Sequence, residues 1–263
     1  NIFYCFFHRY FLGNVIKCVR KLKDVKNMAT LIVGRNTVLE AIKAKRKIYE
    51  LYIQKGTNQE MLSIAKECHI KIKIQDKQSL NQLLDGAHQG VGALVDDYTY
   101  KSLEDVLSMD KEHKFFVMLD SLEDPHNLGA ILRSADAFGV DAVIIPKNRS
   151  VKLNATVAKV STGAIEYVNV VEVTNLAQTM EKLKKHGFWI AGTDASAKQT
   201  IGQIDTDTSL CVVIGSEGKG MHRLVKEKCD YHVKIPMVGH VNSLNASVSA
   251  GIVIYEVYKK KGE

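Results

Sequence analysis

Six short apolar segments, separated by stretches of helical spacing, most constrain the fold of the second half of this chain. Each segment has five or six residues and is rich in Val, Ile, Leu or Phe, which is typical of strands buried on both faces of a parallel sheet. The predicted strands are Phe115–Asp120, Ala142–Pro146, Tyr167–Val171, Phe188–Gly192, Leu210–Gly215 and His232–Pro236. The predicted helices are Leu128–Phe138, Ala155–Ser161, Leu176–His186, Met221–Lys228 and Leu244–Tyr258. We therefore predict an α/β domain with a wound, mostly parallel sheet over residues 115–263.

Residues 28–95 predict a separate, small α/β domain. Strand-like and helix-like stretches alternate along them, with Asn36 as the expected N-cap of the first helix. The predicted helices are Asn36–Lys45, Gln59–Cys68 and Gln78–Leu84, and the predicted strands are Tyr49–Ile53, Ile70–Ile74 and Val91–Val95. The polar residues 96–114 that follow are predicted to be a linker.

Residues 1–27 differ from the rest of the chain in charge. They carry six Lys and Arg side chains against Asp24 alone, so they contribute five of the seven net positive charges. The remaining chain is too weakly basic for its charge alone to indicate an RNA partner. The segment does not begin with Met, and Met28 resembles an ordinary start. We expect residues 1–27 to lie outside the native fold, with an RNA-contacting or membrane-surface arm as the alternative.

Several functional classes find no support in the sequence. The glycine-rich segment Gly215–Gly220 has G-x-x-G-x-G spacing, whereas a dinucleotide-binding turn needs G-x-G-x-x-G and a P-loop needs Lys-Ser or Lys-Thr. The five cysteines form no C-x-x-C pair, which argues against a zinc site or a disulfide framework and favours a reducing, cytoplasmic setting. No apolar run approaches the ~18–20 residues that a membrane-spanning helix needs.

Three polar clusters each begin where a predicted strand ends. The clusters are Asp120–Ala135, Gly215–Gly220 and Ile235–Val248. Because open α/β sheets bind ligands at the carboxyl ends of their strands, we expect these clusters to form one site. Asn127 is a candidate N-cap of the helix that follows it, and capping is also an alternative role for Ser243 and Asn245.

The order and position of these clusters resemble the three signature motifs of the SpoU/TrmH branch of the SPOUT methyltransferases. The resemblance covers essentially all of residues 115–258. It implies a homodimer and a trefoil-knotted domain in which the chain near Ile235–Asn245 passes beneath an earlier loop. It also implies an enzyme that methylates ribose 2′-hydroxyls of RNA, with S-adenosylmethionine (AdoMet) as its cofactor and no metal.

The resemblance assigns roles to individual residues. The implied catalytic residues are Arg133, Asn127, Glu217, Ser243 and Asn245. The implied cofactor-binding residues are Thr193, Gly215, Gly220, Ile235, Met237 and Leu244. Because a guanidinium group stays protonated, we expect Arg133 to hold a phosphate and stabilise the developing alkoxide rather than to act as a base.

Residues 28–95 resemble the L30e-like RNA-binding domain through Gly34-Arg35-Asn36 and His88-Gln89-Gly90. This resemblance implies RNA contacts by Arg35, His88 and Gln89, and a guanosine of 23S rRNA as the target. The local basic cluster Arg35, Lys43, Lys45, Arg46 and Lys47 suits phosphates or, alternatively, is a solvated helix face. Other functions left open are a tRNA or antibiotic-resistance rRNA 2′-O-methyltransferase, and a non-catalytic RNA-binding protein of the same fold.

Overall fold

The chain forms two compact units. The computed structural model describes residues 29–84, 87–216, 218, 220–240 and 243–262. The first unit comprises residues 29–35 and 45–97, and the second comprises residues 36–44 and 98–262. Helix α1 (Arg35–Lys43) is thus grouped with the second unit from its second residue onward. The leader 1–27 lies outside the described residues.

A four-stranded sheet forms the first unit, in the strand order β1-β4-β2-β3. Strand β4 pairs antiparallel with β1 and β2, and β2 pairs parallel with β3. The strands are β1 (Ala29–Val33), β2 (Ile48–Gln54), β3 (Ile72–Gln75) and β4 (Val91–Asp96), and the helices are α2 (Gln59–Glu67) and α3 (Lys77–Leu83). Asp76 caps α3 by accepting a hydrogen bond of 2.9 Å from the Ser79 N–H. Leu80 and Leu84 then pack against Val33 in a buried cluster.

A seven-stranded sheet forms the second unit, in the order β7-β6-β5-β10-β8-β11-β9. Every pair of neighbouring strands is parallel. The strands are β5 (Phe115–Leu119), β6 (Ala142–Pro146), β7 (Val170–Val173), β8 (Trp189–Thr193), β9 (Gln199–Thr200), β10 (Leu210–Ile214) and β11 (Tyr231–Lys234). The helices are α4 (Leu103–Leu107), α5 (Pro125–Ala137), α6 (Ala155–Val160), α7 (Leu176–Lys185), α8 (Arg223–Lys228) and α9 (Ala246–Lys261).

The two central strands explain why the apolar segments are nearly continuous. All five residues of β5 and all five of β10 are buried, so the sheet is covered on both faces. Alternation along β5 directs Phe116 and Met118 into one core cluster, where they join Leu103 of α4, Met180 of α7 and Val225 of α8. The predicted α/β class with a mostly parallel sheet is confirmed.

The structure differs locally from three predictions and adds one strand that was not predicted. Residues 96–114 are more than a linker, because they contain α4, which has a capping box formed by Ser102 and Asp105. Asn36 lies inside α1, which begins at Arg35, and is therefore not its N-cap. Strand β7 begins at Val170, three residues later than predicted, because a 3-10 turn occupies Ala164–Glu166. The two-residue strand β9 had no sequence signal, since its pairing comes only from β11.

Candidate active site

The three polar clusters meet at the carboxyl edge of the seven-stranded sheet. They follow β5, β10 and β11, which are linked in parallel register through β10–β5, β10–β8 and β11–β8 pairing. Parallel pairing brings the ends of these strands to the same edge. A hydrogen bond of 2.8 Å from the Asp120 N–H to the Ile214 carbonyl joins the ends of β5 and β10.

A cavity of about 490 Å³, here called cavity A, opens between the second and third clusters. It brings together all six residues predicted to bind the cofactor, and the predicted catalytic residue Ser243 also lines it. Those six are Thr193, Gly215, Gly220, Ile235, Met237 and Leu244. Ile214 and Val233 add apolar surface to the same walls. The cavity therefore combines apolar walls with hydroxyl and backbone groups and with the charged side chains Asp194, Lys226 and Lys234, and a mixture of apolar walls and a few polar groups is usual for a small-molecule site.

The loop after β10 requires glycine at position 215. A Cβ atom added to Gly215 would lie 2.4 Å from the carbonyl carbon of Gly220 and 2.5 Å from the Met221 nitrogen. The loop folds back this closely because Ser216 and Gly220 exchange two backbone hydrogen bonds of 3.0 Å. Gly220 has a φ angle of 67°, in the left-handed region that favours glycine. At these glycines, backbone atoms without side chains line cavity A.

Two polar side chains of cavity A are fixed by the protein itself. The Thr193 hydroxyl donates to the Val213 carbonyl at 2.9 Å, so its oxygen faces outward as an acceptor. Asp194 pairs with Lys226, and both residues line the cavity. Burial raises the pKa of Asp194, but its bonds with Lys226 and Ser196 outweigh burial and lower that pKa to about 2. The Asp194 side chain is therefore a stable anion at neutral pH.

The first and third clusters are joined by a contact between Asn127 and Asn245. The Asn245 Nδ2 atom donates to the Asn127 Oδ1 atom at 3.0 Å. Asn245 is also the N-cap of α9, because its Oδ1 atom accepts from the Ser247 N–H at 2.9 Å. The prediction that Asn127 caps α5 is wrong. That helix begins earlier, at Pro125, and Asp124 caps it. Asn127 is buried within the helix and faces the third cluster.

A second cavity of about 630 Å³, here called cavity B, lies between the first and second clusters. It is lined by Ser121, Leu122, Glu123, Asp124, Asn127, Arg149, Ser216, Gly220, Met221 and His222. Ser216, Gly220 and Met221 line both cavities, so the glycine loop is their common wall. Among these residues only Asn127 and Gly220 were predicted as site residues.

Sequence reasoning missed a carboxylate–histidine pair at the edge of cavity B. Asp120 is 3% exposed and its Oδ1 atom lies 2.9 Å from the His222 Nδ1 atom. The backbone N–H of His222 donates to Asp120 Oδ2 at 2.6 Å. Asp120 was visible as the first residue of the first cluster, but His222 lies 102 positions away along the chain, so only the fold reveals the pair.

The predicted catalytic residue Arg133 stands apart from both cavities. Arg133 lies on the third turn of α5, is exposed, and is not among the residues lining cavity A or cavity B. No hydrogen bond or ion pair joins it to another residue in the described part of the chain, so its guanidinium is available to a ligand. Glu217 lies outside the described residues.

The three residues of the first unit that were predicted to contact RNA all make hydrogen bonds within that unit. His88 is 9% exposed. Its Nε2 atom lies 2.8 Å from Asn81 Oδ1, and its Nδ1 atom accepts from the Gly90 N–H at 3.0 Å. Gln89 accepts from the Arg35 N–H at 2.9 Å, and the Arg35 guanidinium pairs with Glu60 at 2.5 Å. These bonds stabilise the turn, and RNA contact by the three residues stays a prediction.

The local basic cluster is also largely engaged within the protein. Lys43 pairs with Glu40 at 2.9 Å, and Arg46 donates to the Asp96 carbonyl. The Lys47 ammonium lies 4.7 Å from the centre of the Tyr49 ring. A hydrogen bond with Tyr49 raises the pKa of Lys47, which therefore remains charged at neutral pH.

The described residues provide neither a candidate metal site nor a candidate membrane-spanning helix. No group of three or more His, Cys, Asp or Glu side chains among them could hold a metal ion. In the same part of the chain, none of the helices has the length and apolar character needed to span a membrane.

Comparison with known proteins identifies the chain's relatives. Residues 114–255 match the family model described as the SpoU rRNA Methylase family. Residues 31–101 match the model described as RNA 2′-O ribose methyltransferase substrate binding. A Bacillus subtilis protein assigned to the TrmH family of tRNA/rRNA methyltransferases is 50% identical over 237 residues, which cover 88% of this chain and 95% of that protein.

Solved structures resemble the chain to different extents. The SpoU methyltransferase AviRb of Streptomyces viridochromogenes, crystallised with AdoMet, has a TM-score of 0.79 and 23% identity. That match covers 90% of this chain and 92% of AviRb. The TrmH/SpoU tRNA modifying enzyme of A. aeolicus has a TM-score of 0.53 and 29% identity. It covers only 61% of this chain and 81% of the A. aeolicus chain.

Proposed function

Because the chain belongs to the SpoU rRNA methylase family, we propose that it transfers a methyl group from AdoMet to a ribose 2′-hydroxyl in 23S rRNA, at a guanosine. The observation that carries the proposal is cavity A, which gathers the six predicted cofactor residues at the carboxyl edge of the sheet. Its volume of about 490 Å³ lies within the ~300–1,000 Å³ typical of cofactor sites.

The residues of cavity A suit AdoMet chemically. The backbone edge at Gly215 and Gly220 can approach a ligand closely, because neither residue presents a side chain there. Backbone groups would read the adenine, and Ile235, Leu244 and Met237 would supply apolar contacts. When bound, AdoMet supplies an electrophilic methyl group on a positively charged sulfur. The chain's own residues then have to position the 2′-hydroxyl and receive its proton.

Different polar residues beside cavity A would position the 2′-hydroxyl and stabilise the charge that develops on its oxygen. Asn127 and Asn245 are held against each other at 3.0 Å, so a substrate oxygen between the clusters would meet oriented amide groups. Ser243 lines cavity A from the loop before α9. The exposed guanidinium of Arg133 is suited to bind a phosphate next to the target ribose and to stabilise negative charge on its oxygen. We assign Glu217 to the same site, on the family resemblance alone.

The proposal of ribosomal RNA rests on the organisation of the chain. Residues 31–101 match a substrate-binding model, and residues 114–255 match a family model described for rRNA methylases. The tRNA-modifying enzyme covers 61%, so a tRNA enzyme shares less of the architecture. Since the B. subtilis relative is assigned to tRNA or rRNA, tRNA methylation is the alternative that the experiment must separate.

We also propose a homodimer that uses the exposed side of α9. Ala246 and Ala250 are buried within the chain itself, and a Cβ atom on Gly251 would lie 3.5 Å from Ser134 of α5. The small residues of α9 thus serve its packing on α5. Val248 and Tyr255 remain about half exposed, and Tyr255 packs 5.3 Å from Phe138, centre to centre. Such an exposed apolar patch suits a second copy of the chain.

A cytoplasmic location is part of the proposal. The three cysteines in the described ranges, Cys68, Cys211 and Cys229, are free thiols. Burial raises the pKa of Cys229 to about 12, so this thiol is unreactive. Free, unreactive thiols are compatible with a reducing compartment.

Ribose-methylation mapping tests the function directly. Total RNA from cells with and without the gene is compared, and the purified protein is then incubated with radiolabelled AdoMet and either rRNA or tRNA. We expect one guanosine of 23S rRNA to lose its 2′-O-methyl group without the gene and to regain it in the reaction. A methyl group lost from tRNA would overturn the choice of substrate. AdoMet binding without methylation of either RNA would favour a non-catalytic role.

A further inference from the structure

We propose that His222 accepts the proton of the ribose 2′-hydroxyl during methyl transfer, and that Asp120 positions it. This inference rests on the proposed function, since it assigns the proton acceptor of that same reaction. The juxtaposition that carries it is a buried carboxylate bonded to one ring nitrogen of a histidine that lines cavity B and whose other ring nitrogen has no hydrogen-bond partner among the described residues. Neither residue was predicted from the sequence.

Asp120 is a buried anchor. It follows β5, is 3% exposed, and is bonded to His222, which lines cavity B. Three groups donate to its carboxylate: the His222 N–H at 2.6 Å, the His222 ring at 2.9 Å and the Ser121 hydroxyl at 3.1 Å. The backbone bond fixes the start of α8, and the ring bond fixes the imidazole. One carboxylate therefore sets both the position and the rotation of His222.

The hydrogen bonds also determine which ring nitrogen carries the proton in neutral His222. A carboxylate only accepts hydrogen bonds, so we assign the proton to the Nδ1 atom that faces Asp120. The Ser121 hydroxyl, whose oxygen lies 3.2 Å from the same nitrogen, then donates to Asp120 at 3.1 Å. The Nε2 atom then keeps a lone pair and can accept a proton. Nε2 has no hydrogen-bond partner among the residues that the structure describes, and 55% of the side chain is exposed. The same arrangement prepares histidines for general-base catalysis in unrelated enzymes.

Cavity B places this lone pair beside the predicted chemistry. His222 and Asn127 line the same cavity, and the loop residues Ser216, Gly220 and Met221 separate it from cavity A. A ribose bound in cavity B would therefore contact the same loop that borders the cofactor site. The other charged side chains facing the cavity are Glu123, Asp124 and Arg149. On α8 the adjacent Arg223 is paired with Glu227 at 2.7 Å.

The proton balance of the reaction needs such an acceptor. As the 2′-oxygen uses an electron pair to form its bond to the methyl carbon, its O–H bond breaks and the proton moves to Nε2 of His222. The electron pair of the sulfur–methyl bond returns to sulfur, which leaves uncharged. The resulting imidazolium is stabilised by Asp120 and then releases the proton to solvent, to which the ring is exposed. Arg133, which stays protonated, is free to stabilise the oxygen.

The first test replaces the proposed base, His222, and keeps a hydrogen-bond donor for Asp120. In His222→Asn the side-chain amide can still donate to Asp120, so the start of α8 should hold. We expect the methylation rate to fall by about 10² or more, with AdoMet affinity and melting temperature near those of the wild type. The matched control is His186→Asn, because His186 is an exposed histidine bonded to the Lys182 carbonyl and should leave the rate unchanged.

A pH profile separates proton transfer from a structural role. The wild-type rate should fall as the pH is lowered, because a protonated base cannot accept the 2′-hydroxyl proton. His222→Asn should lack this acidic limb, and added imidazole should partly restore the rate of His222→Ala. A wild-type rate or an unchanged acidic limb in His222→Asn would overturn the proposal.

Asp120→Asn tests the positioning residue. The amide of asparagine can donate to Nδ1, which would move the ring proton to Nε2 and remove the lone pair. Nitrogen-15 NMR of the imidazole, which needs no RNA, should show the proton on Nδ1 in the wild type and on Nε2 in the variant. A wild-type proton on Nε2 would refute the proposal even if no RNA were methylated. If the wild type methylates RNA but the His222 variants do so equally well, the inference fails while the proposed function stands.

Discussion

The turn at residues 88–90 in the first unit and the turn at residues 220–222 in the second each hold a histidine through its Nδ1 atom. In the first turn, Nδ1 accepts from the Gly90 N–H and Nε2 is bonded to Asn81. In the second, Nδ1 lies 2.9 Å from Asp120 Oδ1, and the His222 side chain lines cavity B. His88 is 9% exposed, whereas the His222 side chain is 55% exposed. The two histidines differ in their Nε2 atom, which is hydrogen-bonded in His88 and has no such partner among the described residues in His222. We therefore expect His88 to have a structural role and His222 a reactive one.

The same contrast extends to the arginines of the two units. Arg35 is paired with Glu60 at 2.5 Å, whereas Arg133 has no ion pair within the described ranges. We therefore expect substitutions in the 88–90 turn to lower stability and substitutions around cavities A and B to lower affinity or rate. The following predictions test this separation.

The largest effect is expected for Arg133→Ala. If Arg133 stabilises charge that develops only in the transition state, its loss should lower the methylation rate by about 10²–10³. AdoMet affinity should stay within a few-fold, because Arg133 does not line cavity A. Methyl transfer to rRNA and calorimetric titration with AdoMet measure the two quantities. The control Arg35→Ala should leave the rate per bound RNA unchanged, and near-normal turnover of Arg133→Ala would refute the assignment.

Gly215→Ala should weaken AdoMet binding by tenfold or more. The new Cβ atom would meet the Gly220 carbonyl carbon at 2.4 Å, so the glycine loop would have to move away from cavity A. Backbone atoms on both sides of the clash leave little room for adjustment. Calorimetry with AdoMet measures the loss. Gly202→Ala, where an added Cβ meets no atom closer than 3.8 Å, should leave AdoMet affinity unchanged, so equal losses in both variants would disprove the steric argument.

His88→Ala should affect stability and spare the cofactor site. The change leaves the Gly90 N–H and the Asn81 side chain without their partner, which typically costs about 1–3 kcal/mol when the groups are buried. Denaturant unfolding followed by circular dichroism measures the free energy, while AdoMet affinity should not change. The exposed His186 is the control for a histidine loss without burial. An unchanged free energy of unfolding would mean that the 88–90 turn is not a structural element.

The smallest effect concerns Asp194 and appears only in acid. The pKa of Asp194 is about 2 in the folded chain, against about 3.9 for an aspartate in an unfolded chain. Its contribution to stability is therefore fully present above about pH 4 and is lost as the pH falls towards 2. Unfolding measured across this range should show a shallower loss for Asp194→Asn than for the wild type. Parallel curves would mean that the Lys226–Asp194 pair adds no stability.

Some elements were predictable because their signal is local. Strand Ala142–Pro146 was predicted to the residue, since all five of its positions are apolar or proline and burial on both faces demands this. Helix α5 was predicted to begin three residues late, because Asn127 was taken as its cap while Asp124 followed by Pro125 is the actual start signal. Strand β9 could not be found, because two residues carry no periodicity and depend on β11 for pairing.

From the sequence by itself, local periodicity predicted the two α/β parts and the parallel sheet, because periodicity is a property of neighbouring residues. The resemblance of its motifs to the SpoU/TrmH family implied six of the residues that line cavity A. The tertiary structure alone decided how distant residues meet. It buried Asn127 against Asn245, closed the hydrogen bonds of His88, and brought Asp120 to His222. The physical reason is that a polar side chain has the same local signal whether it is satisfied by the protein or left open to a ligand, and only packing determines which.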